Sequence, residues 1–79
     1  MTDKIEFDYS KLRGRIVEKI GSLMEFSNLV GISPTSLNDR LQSRIAFTQR
    51  DIFKAIEILE ISDDDISEYF FKKKVRITE

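Results

Sequence analysis

The stretch Gly31-Ile32-Ser33-Pro34, set between two apolar-patterned segments, constrains this chain more than any other feature. Glycine enters a left-handed conformation without a β-carbon penalty, so it ends a helix cheaply. Serine followed by proline starts the next one: the hydroxyl caps the first free N–H groups, and proline at the first helical position has no N–H to lose. The four residues therefore specify a tight corner between two helices. The flanking segments keep helical periodicity, with Leu23, Phe26, Leu29 and Val30 before the corner and Leu37 and Leu41 after it.

The same reasoning extends in both directions. Asp8 is placed to cap a first helix over about residues 9–20, with Leu12, Ile16, Val17 and Ile20 on one face and Gly21 as its terminator. Ser22 and Glu25 form an S-x-x-E capping pattern at the start of the second helix. A fourth helix starts after Thr48 and carries Ile52, Phe53, Ile56 and Leu59. A short fifth starts after Ser62 and carries Ile66, Tyr69 and Phe70. The fold class is thus all-α, five short helices around one core, because 79 residues can build one core but not two. The divisions are an N-terminal arm (1–7), a helical core (8–71) and a C-terminal tail (72–79). In the tail, Val75 and Ile77 alternate with polar neighbours in a strand-like pattern, but no second strand is evident for it to pair with.

Composition narrows the chemistry. There is no cysteine and no histidine, so thiolate metal sites, disulfides and the commonest general base are all missing. The acids occupy surface-like positions and no glycine-rich phosphate loop accompanies them, which argues against an enzyme. The Asp63–Asp65–Ser67 spacing imitates a calcium loop, yet Glu68 stands where that loop needs glycine and Lys74 where it needs glutamate. Neither metal, cofactor nor small-molecule substrate is expected. No apolar run approaches the length of a membrane helix, and a cytoplasmic location is expected by default.

Net charge is −1, but it is unevenly spread. Residues 10–50 carry seven bases against three acids, whereas residues 51–79 carry five against eight. The positive segment contains the Gly31–Pro34 corner, the pattern expected of a domain with one face toward phosphate.

The order SLMEFSNLVGISPTSLNDRLQSR followed by FTQRDIFKAIEIL resembles the five-helix DNA-binding domain of lambda-type repressors and Cro proteins, the Xre-type helix-turn-helix family. FDYSKLRGRIVEKIG and ISEYFF resemble, more narrowly, short Cro-like regulators of phages and prophages of Gram-positive bacteria. The resemblance covers about residues 7–71. It implies that helices 2 and 3 form a helix-turn-helix and that helix 3 enters the major groove of double-stranded operator DNA. By position, Pro34, Thr35, Ser36, Asn38 and Asp39 would face bases. Ser22, Arg40, Gln42, Ser43, Arg44 and Arg50 would meet phosphates. Tyr69, Phe70, Phe71, Val75 and Ile77 would build a homodimer contact that sets half-site spacing. The implied function is a sequence-specific repressor.

Three positions depart from the family pattern, Ser27 standing where alanine is commonest, and two of them, with the near-zero net charge, motivate an alternative. Leu23 stands where the family often has a phosphate-contacting glutamine, and Pro34 where it often has a base-reading one. The alternative is a modulator that binds a partner phage repressor through a surface centred on Leu23, Met24 and Phe26 rather than reading DNA itself.

Overall fold

The computed structural model describes residues 6–74. Among these it contains five α-helices and no strand: α1 (Ser10–Lys19), α2 (Leu23–Val30), α3 (Pro34–Leu41), α4 (Gln49–Leu59) and α5 (Ile66–Phe70). A single 3-10 turn, Asp63–Asp65, leads into α5. Helix α2 is central and packs on α1, α3 and α4, while α1 also holds α4 and α5.

Local chemistry accounts for the boundaries. Gly21 and Gly31 both adopt positive φ, +107° and +93°, and each returns its N–H to the preceding helix. Ser22 Oγ accepts the Glu25 N–H at 3.1 Å, and Ser33 Oγ accepts that of Ser36 at 3.1 Å. The reciprocal capping box is realised at α4, where Thr48 and Asp51 exchange side-chain and backbone bonds. At α1 the cap position falls to Tyr9 rather than Asp8. Asp8 lies one residue further out, and its Oδ1 accepts both the N–H and the hydroxyl of Ser10.

The core is Leu12 and Ile16 of α1, Phe26 and Val30 of α2, Leu37 and Leu41 of α3, Ala55 and Leu59 of α4, and Phe70 of α5, closed by Tyr9 and Ile61. Each large side chain fully removed from water contributes about 1.5–3 kcal/mol. Ser27 is buried at the crossing of the helices, and its hydroxyl donates to the Met24 carbonyl at 2.7 Å.

Three residues assigned to apolar faces by periodicity lie outside the core: Val17 (56% exposed), Leu29 (49%) and Phe53 (59%). A 3.6-residue period identifies a helix, but the buried arc of an eight- to eleven-residue helix here spans only two or three rows. Positions at its margin fall on the open side.

The first residues of the tail pair with the end of the arm: Phe7 and Lys73 form an isolated antiparallel bridge, with Asp8 N–H donating to Lys72 O (2.7 Å) and Lys74 N–H to Glu6 O (2.9 Å). Residues 6–8 and 72–74 thus pair with each other. Val75 and Ile77 lie outside the described residues.

Candidate functional site

Helix α3 presents its outward side because Leu37 and Leu41 fix the inward one. Pro34, Thr35, Asn38 and Gln42 are exposed, while Ser36 and Asp39 are half-buried. Arg40 turns inward. Its Nε donates to Asp51 Oδ2 at 2.7 Å and one terminal nitrogen to the Ser36 carbonyl at 3.0 Å, leaving the side chain 14% exposed. Arg44 folds onto Asp39 at 3.1 Å. Two expected phosphate contacts and one expected base contact are therefore engaged within the chain, and the open part of α3 is polar but uncharged.

The remaining expected positions divide similarly. Ser22 caps α2. Ser43 adopts φ 62°, and its Oγ accepts the Phe7 N–H at 3.2 Å, tying the loop after α3 to the N-terminal arm. Arg50 is exposed at the start of α4. On α1, Arg15 donates to the carbonyls of Leu59 and Glu60, and Lys19 pairs with the Glu60 carboxylate at 3.1 Å. These bonds hold α1 to the C-terminal end of α4.

Asp51 is the electrostatic centre of the α3–α4 junction. It is 3% exposed, and its Oδ2 accepts both Arg40 Nε and the Thr48 N–H. Burial pushes its pKa up, but the Thr48 N–H and hydroxyl and the Arg40 guanidinium outweigh this and hold it below the ordinary carboxylate value. The sequence offered a signal for Asp51, the T-x-x-D pattern from Thr48, read only as a helix start.

Apolar exposure is considerable for a chain this small. Met24 is 64% exposed, with Val17, Leu29, Ile45, Phe53 and Phe71 each near half. Of the surface expected to receive a repressor, Met24 is open and Leu23 half-buried. Phe26, at 1%, belongs to the core. The expected dimer contact is divided too: Tyr69 is half-buried beneath Lys11 Nζ at 4.9 Å, Phe70 is buried, and Phe71 is exposed with its ring edge-on to Phe7 at 6.2 Å. Phe70 is fully engaged in its own core and presents nothing to a second copy. Beside Phe71 opens a cleft of about 170 Å³, lined by the arm (Phe7, Tyr9), the α3–α4 loop (Ser43, Ile45, Ala46, Phe47), Ile52 and Phe70. Sequence reasoning did not find it, since its walls come from four separated segments.

Among solved structures, a protein of known role matches over nearly the whole fold. It is the modulator of repression (MOR) of the temperate bacteriophage TP901-1 from Lactococcus lactis, 36% identical, covering 89% of this chain and 95% of that one with a TM-score of 0.74. Comparison with curated proteins gives no match. The likeness to a modulator of repression overturns the reading of this chain as an operator-binding, Cro-like repressor and agrees with the modulator alternative. The fold alone could not separate the two, since one helical framework serves either use. Residues 5–73 match the family described as "Protein of unknown function (DUF739)", and the chain belongs to that family.

Proposed function

We propose that this member of the DUF739 family is a phage or prophage modulator of repression, a small protein that acts by binding a partner repressor in the cytoplasm and not by catalysis. The observation that carries this reading is the 36% identity to the TP901-1 modulator of repression across 89% of the chain. In this reading α2 and α3 are a helix-turn-helix pair of the lambda-repressor type whose outward face meets protein.

The surface chemistry supports it. Cores of protein interfaces are poor in charge and rich in methionine and aromatic residues. The open residues of α3 (Pro34, Thr35, Asn38) and its C-cap Gln42 carry no charge, and α2 beside them presents Met24 at 64% exposure. Arg40 and Arg44 are already paired with Asp51 and Asp39. A repressor sequestered by a ligand at a hundred times its Kd loses about 2.7 kcal/mol of free chemical potential, roughly a hundredfold in operator occupancy where the two bindings exclude each other. Such a mechanism needs affinity for the repressor and none for DNA.

Titration calorimetry with the repressor encoded in the same genome tests this. The expectation is a saturable complex whose affinity changes little between low and moderate salt, weakened at least about tenfold by Met24→Lys. Absence of heat and of any complex at tens of micromolar would contradict the reading.

A further inference from the structure

The cleft beside Phe71 has the size and the apolar lining of an anchor site. Its volume, about 170 Å³, is close to that of engineered apolar cavities of about 150 Å³ that hold a benzene ring. One leucine or phenylalanine side chain fits such a space. The walls are mostly apolar, and two of them, Ile45 (45%) and Phe71 (53%), still face water.

The arm–tail pairing fixes the charge. Residues directly opposite in an antiparallel bridge project to the same face, and their immediate neighbours project to the other. Phe7 and Lys73 are bridge partners, and Phe7 lines the cleft, so Lys73 stands at the cleft side of the ribbon. Glu6, Asp8, Lys72 and Lys74 belong to the opposite side. The ion pair between Lys74 and Glu6 at 3.7 Å agrees with that division. By this alternation the two carboxylates of the ribbon, Glu6 and Asp8, fall on the far side, and the exposed Lys73 is the charged residue in register with the cleft-lining Phe7.

We propose that this cleft binds a segment of a partner protein that inserts one large apolar side chain between Phe71, Ile45 and Ile52 and sets a neighbouring carboxylate against Lys73. The pairing of an apolar anchor with a single rim charge gives affinity from the first and orientation from the second. None of Pro34, Thr35 and Asn38 lines this site, and it does not depend on which repressor the chain meets.

Two capped peptides test it against the full chain: acetyl-Glu-Asp-Leu-Phe-Asp-Glu-amide and its counterpart with lysine at every acidic position. NMR signals of Ile45, Ile52 and Phe71 are followed during titration. The acidic peptide is expected to shift them saturably and to bind at least about tenfold more tightly than the basic one. Phe71→Ser should weaken it by about tenfold or more, and Lys73→Glu should weaken the acidic peptide while strengthening the basic one. Both positions are exposed, so folding is retained, and Lys73→Gln provides a neutral control. Equal binding of the two peptides, no saturable shift, or indifference to Lys73→Glu would overturn the proposal. So would sedimentation showing self-association that Phe71→Ser abolishes, which would give the cleft to a second copy.

Discussion

Replacing Asp51 by alanine should be among the most damaging single polar changes in this chain. The side chain is 3% exposed and joins three elements: it receives Arg40 Nε from α3, the Thr48 N–H at the end of the loop, and completes the capping box of α4. Loss of a helix cap costs about 0.5–2 kcal/mol. Leaving one member of a buried ion pair without its partner costs about 3–5 kcal/mol. Arg40 is 14% exposed and keeps the Ser36 carbonyl, which places the total near the lower end, about 3–4 kcal/mol. For a domain of this size each kcal/mol lowers Tm by about 4–8 °C, so a fall of at least about 12 °C is expected by calorimetry or circular dichroism. Arg40→Met alone should cost less, because Asp51 keeps its bonds at Thr48. The double variant should cost less than the sum of the two, by about 1–2 kcal/mol, since it leaves no stranded guanidinium. The same carboxylate predicts an acid limb. Its folded pKa lies below the unfolded value, so its stabilisation is present above pH 4 or thereabouts and is lost as pH falls through the folded pKa. That share of the low-pH loss should be missing in Asp51→Ala. A cost of about 1 kcal/mol or less, or strict additivity with Arg40→Met, would refute the argument.

Other substitutions probe neighbouring parts of the account. Phe70→Ala should cost about 3–5 kcal/mol in chemical denaturation whereas Phe71→Ala should cost under about 1.5, because the first ring is 2% exposed and the second 53%. Glu60 sits at φ 54°, so Glu60→Gly should raise stability slightly, by about 0.5 kcal/mol after loss of its exposed pair with Lys19. Gly31→Ala should lower stability by about 1–2 kcal/mol through its φ of +93°; the added methyl would meet only the end of Arg50, at 3.7 Å. Thermal melts of these variants would decide each.

How much of this was legible depended on the range of the interaction. The caps at Ser22, Ser33 and Thr48 and the glycine terminators are set by residues within one turn, and all were readable. Leu12, Ile16, Leu37 and Leu41 followed from spacing for the same reason. Val17, Leu29 and Phe53 did not, because which margin of a helix is covered depends on neighbours far along the chain. The pairing of residues 6–8 with 72–74 was illegible: three residues on each side carry too little alternation to mark a strand. Arg40 was readable as a cation but not as one turned toward Asp51 on the next helix. The step from fold to function was not legible either, and it is the likeness to a modulator of repression that redirects it. A helix-turn-helix pattern says that one helix is presented, and only the open side chains say to what. Here those are uncharged on α3, with Arg40 folded inward onto Asp51 while Arg44 and Arg50 stay exposed.

The most direct test of the central claim is a gel-shift assay on operator DNA with three components, the DNA, the partner repressor and this chain. The account predicts no shift by this chain alone at concentrations where the repressor is fully bound. It also predicts a dose-dependent change in the repressor's own shift when the chain is added, lost in Met24→Lys. A salt-sensitive, site-specific shift by the chain on its own, with the repressor's band unaffected, would contradict it.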